Sequence, residues 1–278
     1  MTATLDLLHL MNAADRTVPE RVGEAVPAIA RAADGIADRL DAGGRCLYVG
    51  AGTSGRLGAL DAAELPPTFG TDPALVVALL AGGPDAMLKA VEGAEDDETA
   101  AARDLSEITP RDAVVAIAAS GTTPYALAAL RHARGAGALT VAIVCAGDTP
   151  LARLAEIPIV VDVGPEVLAG STRLKAGTAQ KLILNMLSTA VFARRGLVYE
   201  GEMVAVRPTN AKLRKRAVRI ASRLLAIPGD EAESLLRASG WNLPVALVSG
   251  RWKLSVEDAR AYLARVSGNV ARALEHAP

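Results

Sequence analysis

The sequence predicts an α/β protein, a parallel sheet flanked by helices and followed by a small all-α module, and three observations carry that expectation. Five short apolar runs, at 46–49, 75–80, 113–118, 139–145 and 157–163, alternate with segments whose apolar residues recur at helical spacing. The runs are continuous rather than alternating, which requires strands covered on both faces, as in a parallel sheet with crossover helices. Beyond Arg207 the strand pattern stops and short helical segments with Gly and Asn turn signals take over.

Composition agrees and narrows the function. Of 278 residues, 51% are hydrophobic and only 3% aromatic, so the apolar content is largely Ala, Val and Leu. A chain of this length buries a sizeable core. The formal net charge of -1 gives no basic excess for a nucleic-acid backbone. No run reaches membrane-spanning length and the N-terminus lacks the basic, apolar and small-residue succession of a signal peptide, so a soluble cytoplasmic protein is expected, with no membrane partner. Cys46 and Cys145 sit inside strand-like runs and read as free core thiols. His9, His132 and His276 are scattered without a second ligand at metal spacing, so no metal is expected.

Taken in order, residues 5–11 and 19–40 carry helical spacing, the latter through Val22, Val26, Ile29, Ala33, Ile36 and Leu40, and Gly43-Gly44 stops the helix. The first strand, over 46–49, leads into a glycine and hydroxyl loop and then a short helix through Leu57, Leu60 and Ala63 that ends at Pro66-Pro67. Helical patterns over 84–92 and 124–133 separate the next strands, and 166–172 reads as a loop before a long helix over 173–195. The segment from Lys212 to Leu225 reads as a helix whose basic residues form a solvated face. Finally, 236–247 is echoed by 263–274, two related helix-turn-helix corners.

In open α/β sheets ligands bind at the carboxyl ends of the strands. Three loops there begin helices with small hydroxyl residues: Gly52, Thr53, Ser54 and Gly55; Ser120, Gly121, Thr122 and Thr123; and Ser171 and Thr172 with Lys175. Free N–H groups, hydroxyl donors and the positive end of a helix dipole suit a phosphate, and the three could converge on one. Gly50, Gly52 and Gly55 also satisfy a dinucleotide fingerprint, but the second strand ends Leu80-Ala81-Gly82-Gly83 without the acidic residue that would hold a ribose, so no cofactor is expected. There is no Walker lysine and no Gly-x-Ser-x-Gly elbow. Glu64, placed at a helix end beside prolines, would have a raised pKa, and Glu95 lies in an acidic cluster. From the residues alone each glutamate reads first as a structural carboxylate, because perturbed carboxylates are a minority, and spacing alone does not pair them.

Five segments closely resemble one family: 50–58 (GAGTSGRLG), 66–70 (PPTFG), 91–96 (VEGAED), 170–181 (GSTRLKAGTAQK) and 209–213 (TNAKL). They are similar to those of the N-acetylmuramic acid 6-phosphate etherase family, and the likeness runs from about Leu5 to the C-terminus. The resemblance implies a sugar isomerase (SIS) domain with a flavodoxin-like sheet, N-terminal helices over 1–42, the SIS domain over 43–206 and a ubiquitin-associated-like helical module over 207–278. It also implies a homodimer, a sugar phosphate as the small-molecule partner, and a lyase that removes D-lactate and adds water. In that reading Glu64 is the acid, Glu95 is the base, and the hydroxyl loops hold the 6-phosphate. A non-catalytic phosphosugar-binding regulator, as in the related glucokinase regulatory protein, or an aldose-ketose isomerase on the same fold are the alternatives.

The chain departs from the family's pattern. Its likeness starts near Leu5, without the N-terminal segment carrying a Thr-Glu and Asn-containing motif that members usually place ahead of it. Ala63 and Leu65 stand for the usual Ser and Cys around Glu64, Thr122 for an Arg, and Gly201 and Ala205 for an Asn and an Asp.

Overall fold

The computed structural model describes residues 3–278. It resolves into two compact units, one running up to Ala63 and resuming over Pro73–Ala190, the other formed by Glu64–Asp72 and Val191–Pro278.

The first unit begins with α1 (Thr4–Asp15), α2 (Val18–Glu24) and α3 (Val26–Asp41). The stretch 19–40, expected as one helix, is two. Pro27 has no N–H to continue α2 and its ring excludes the carbonyl four residues earlier, so the chain restarts at Ala25 with the proline in the first turn of α3. The stripe of α3, with Ile29, Ala33, Ile36 and Leu40, is buried as expected, whereas Val26 is exposed.

A five-stranded parallel sheet follows, built from β1 (Cys46–Gly50), β2 (Val76–Leu80), β3 (Ala113–Ile117), β4 (Leu139–Val144) and β5 (Ile157–Val160) in the order β2-β1-β3-β4-β5. That is the flavodoxin-like order, with its switch point between β1 and β3. Every residue of β1, β3 and β4 is buried, while the edge strands β2 and β5 are only partly covered. Leu47, Val49, Val114, Ala116, Ala142 and Val144 on one face form a core with Tyr125, Ala126, Ala129, Leu130 and Ala133 of a later helix. Each fully enclosed Val or Leu side chain there contributes about 1.5–3 kcal/mol.

Helix α4 (Gly52–Phe69) connects β1 to β2. It does not end at Pro66-Pro67 as predicted but runs through both. The prolines leave the carbonyls of Ala62 and Ala63 without their usual i+4 donors, yet Leu65 and Phe69 beyond them are buried and Phe69 stacks on Phe192 at 5.0 Å. Packing outweighs the lost hydrogen bonds.

Between β2 and β3 the predicted helix over 84–92 is replaced by two 3₁₀ turns, Pro84–Met87 and Ala94–Asp96, and α5 (Glu98–Asp104), which is capped by the Asp97 carboxylate. Met87, Leu88 and Val91 are exposed, so no apolar stripe holds a longer helix there. Helix α6 (Pro124–Gly135) links β3 to β4, and α7 (Pro150–Leu154) links β4 to β5. The long α8 (Lys175–Arg194) follows β5 and a loop. No helix among the described residues is long and apolar enough to cross a membrane.

The second unit holds the short antiparallel pair β6 (Val198–Tyr199) and β7 (Glu202–Met203), then α9 (Ala211–Leu225), α10 (Gly229–Ala238), α11 (Leu243–Trp252), α12 (Val256–Arg265) and α13 (Val270–Glu275). Val204 and Val206 share a core with Ile220, Leu236, Leu247 and Leu274, so residues 191–206 group with the helices rather than with the sheet. The basic face of α9 is less free than expected, because Arg219 and Arg223 both hold the buried Glu202 carboxylate, at 2.8 and 2.7 Å. The echoed corners are genuine equivalents. Trp241 N–H donates to Leu236 and Gly268 N–H to Leu263, both across five residues, and Asn242 and Asn269 then cap α11 and α13.

Candidate anion site at the sheet's switch point

The loop after β1 enters α4 almost without a turn. Gly50 and Gly55 approach so closely that a Cβ on Gly55 would lie 2.5 Å from the Gly50 carbonyl oxygen, which is why the strand can feed straight into the helix. Gly52 opens α4 and is exposed, Thr53 is half-buried, and Gly55 donates its N–H to Ala51. The preceding N–H groups, of Gly52, Thr53 and Ser54, have no helical carbonyl to reach, and the helix dipole is positive there. Ser54 is buried, and its hydroxyl donates to Gln180 Oε1 of α8 at 3.1 Å.

Strand β3 lies beside β1 with Gly50 opposite Ile117, so the loop that follows it emerges next to the first. Gly121 has φ +65°, and a Cβ on it would stand 2.3 Å from Thr149 Oγ1, so only glycine fits the bend. Ser120 is exposed; its oxygen accepts from Thr122 N–H at 3.3 Å and from the Thr122 hydroxyl at 2.9 Å. The Ser120 proton is left free to donate outward. Thr123, half-buried, immediately precedes α6.

The third predicted cradle is different. The carboxylate of Glu166 accepts from the N–H groups of Lys175 and Ala176, each at 3.0 Å, so the start of α8 already holds an anion of the chain's own. Lys175 is buried and its Nζ donates to the Val163 carbonyl. Ser171 is half-buried and Thr172 exposed, their backbone N–H groups tied into the loop through Leu168 and Gly170. A carboxylate of the chain's own loop thus already meets the dipole of the third helix start.

Helices α4 and α8 run side by side in one direction. Gly177 faces Thr53, Gln180 meets Ser54, and Asn185 and Ser188 reach Asp61. The buried Asp61 carboxylate accepts from Asn185 at 2.8 Å, Ser188 at 3.2 Å and Tyr48 at 3.2 Å. Burial pushes its pKa up despite those donors. Burial likewise raises Tyr48 well above its ordinary value and Cys145 to about 12, so neither acts as a ready nucleophile.

The two glutamates occupy different settings. Glu95 is exposed on the 3₁₀ turn Ala94–Asp96, entered through Gly93 at φ +72°. Upstream of that turn, Arg56 of α4 donates to the carbonyls of Ala86, Met87 and Lys89 and fixes the segment after β2. Glu64 belongs to the other compact unit and is exposed on α4, five residues before its last residue rather than at the helix end.

Sequence reasoning missed Gln180, Glu166 and Asp61. For Gln180 the signal was present, since it interrupts an otherwise apolar stripe of Ala176, Ala179, Ile183, Leu184 and Leu187.

This sheet order, with hydroxyl loops at the ends of β1 and β3, defines an α/β domain of the SIS class. Residues 28–134 match the glucokinase regulatory protein N-terminal SIS domain, and 87–190 match the SIS domain. Among solved structures, a phosphoheptose isomerase from Francisella tularensis shares the fold at TM-score 0.56, with 20% identity, covering 69% of this chain and 100% of that one. A protein of E. coli CFT073 does so at TM-score 0.53 and 17% identity, covering 72% and 97%. The chain belongs to the N-acetylmuramic acid 6-phosphate etherase family, being 49% identical over 274 residues to the Yersinia pestis (strain Pestoides F) member, which covers 98% of this chain and 93% of the relative. The Yersinia pseudotuberculosis serotype O:1b member matches to the same extent.

Proposed function

We propose that this protein is a carbon–oxygen lyase that cleaves the D-lactyl ether of N-acetylmuramic acid 6-phosphate, giving N-acetylglucosamine 6-phosphate and D-lactate, a reaction of cell-wall amino-sugar recycling. The observation that carries this reading is the 49% identity across 98% of the chain. In the open-chain sugar the C1 aldehyde acidifies the C2 proton. A carboxylate takes that proton, a carboxylic acid protonates the ether oxygen at C3, and the C3–O bond breaks to release lactate. Water then adds at C3 of the unsaturated aldehyde, and C2 is reprotonated. Glu95 serves as the base and Glu64 as the acid in this proposal. The 6-phosphate is held by the amides of Gly52, Thr53 and Ser54, with Gly55 allowing its close approach, and by the hydroxyls of Ser54, Ser120, Thr122 and Thr123. In this proposal Ser171 and Thr172 add hydroxyl donors from the loop before α8, and Lys175 braces that loop through the Val163 carbonyl.

The protein works as a cytoplasmic homodimer in this reading. Helix α1 buries none of its residues within the chain and exposes Leu5, Leu7, Leu8 and Leu10, apolar surface on more than one side that a second copy would cover. The deciding experiment is an assay for D-lactate with N-acetylmuramic acid 6-phosphate as substrate. Release of lactate together with N-acetylglucosamine 6-phosphate supports the proposal; tight binding of the sugar phosphate with no lactate overturns it.

A further inference from the structure

Gln180 is fully enclosed, with 0% of its surface exposed, and its Nε2 is the one buried side-chain polar atom without a hydrogen-bond partner among the described residues. Buried amides are almost always paired, so an unpaired one calls for a reason. The bond to Ser54 does not supply one, because it uses only Oε1 and leaves Nε2 buried and unpaired. What Gln180 does touch is the hydroxyl of Ser54, in the first turn of α4, where three backbone N–H groups are open.

We infer that Gln180 is a positioning residue of the anion site at the start of α4: it sets the direction of the Ser54 hydroxyl and supplies its own amide N–H once that hydroxyl turns to a bound phosphate. This rests on the phosphate role assigned to that loop under the proposed function. A serine hydroxyl has a single proton. In the structure that proton goes to Gln180 Oε1, so Ser54 cannot at the same time donate to an anion. When it rotates to do so, its oxygen can only accept from Gln180. A half-turn of the terminal amide then presents Nε2–H to Ser54 Oγ with no other movement. A hydroxyl that accepts from an amide is the stronger donor to its own acceptor. A carboxylate or a thioether in place of Gln180 could complete the first arrangement but not the second.

The test is binding of inorganic phosphate and of glucose 6-phosphate by calorimetry, with thermal unfolding of the same samples, for the wild type, Gln180→Met, Gln180→Leu and Ser54→Ala. Both Gln180 variants are expected to weaken both ligands about tenfold with little change in melting temperature, since the unpaired Nε2 that each removes offsets the acceptor that the Ser54 hydroxyl loses. In turnover of N-acetylmuramic acid 6-phosphate the loss falls on KM with kcat nearly unchanged. Affinity equal to wild type in either folded variant, with Ser54→Ala impaired, overturns the role of Gln180 and leaves the proposed function standing. Weakened binding that merely tracks a lowered melting temperature in both variants also overturns it, as a structural role. If the wild type and Ser54→Ala bind neither ligand, the phosphate reading of the loop falls and the inference with it.

Discussion

The carboxylate of Glu166 closes the start of α8 by accepting the N–H of Lys175 at 3.0 Å, with a second oxygen on Ala176. Nine residues separate the pair, so a loop folds back to satisfy a helix it precedes. The effect is that of a bound anion, with charge opposite to the dipole end it meets.

Replacing Glu166 with Ala leaves those two N–H groups unpaired. We expect Glu166→Ala to cost about 1–2 kcal/mol in urea unfolding and Glu166→Gln clearly less, since the amide oxygen still accepts. Equal costs for the two variants would show that the hydrogen bonds accepted by the side-chain oxygens contribute nothing measurable there.

Asp61 gives a pH signature. Its folded pKa is raised by burial, so the stability it contributes is complete below the ordinary value of 3.8 and is lost as pH rises through the elevated one. Asp61→Asn keeps an acceptor for Asn185 and Ser188 and a donor for Tyr48. The difference in unfolding free energy between Asp61→Asn and wild type should therefore grow in favour of the variant between about pH 3 and pH 7. A constant difference across that range would contradict the assignment.

Glu202 behaves in the opposite sense. The hydrogen bonds from Arg219, then those from Arg223, hold its carboxyl below the usual range, although burial opposes them. Its contribution is present above the ordinary value of 4.5 and disappears as pH falls through the lowered one. Because both arginines are more than half exposed, screening limits the effect, and Glu202→Gln should cost about 1 kcal/mol at neutral pH. Denaturant midpoints at neutral and acidic pH test this, the variant and wild type converging in acid.

For the proposed reaction, Glu95→Gln should lower lactate release about a thousandfold with sugar-phosphate binding nearly intact, and Glu64→Gln should slow it by impairing departure of the ether oxygen. Single-turnover lactate measurements beside equilibrium binding separate the two steps. Parallel loss of binding and turnover in Glu95→Gln would assign that residue a structural role instead.

Local pattern made much of this molecule readable. The apolar runs that became β1 to β5 are continuous because both faces of the sheet are covered, and the glycines after β1 mark a strand that must pass directly into a helix. The paired Asn242 and Asn269 corners were visible because a capping side chain acts within three residues of its helix. By contrast, Pro66 and Pro67 promised a helix end that the burial of Leu65 and Phe69 overrode. The stretch 84–92 had helical spacing, but only Ala86 is buried while Met87, Leu88 and Val91 are exposed, too little apolar contact to hold a helix.

By itself, then, the sequence determined the fold class, the strands and the three hydroxyl loops at their carboxyl ends, since hydrophobic periodicity and glycine positions act over a few neighbouring residues. Only the tertiary structure decided that Glu166 fills the third loop's helix start and that Ser54 spends its proton on Gln180, 126 residues away. Which donor meets which acceptor at long range depends on how helices are laid side by side, and chain spacing carries no record of that.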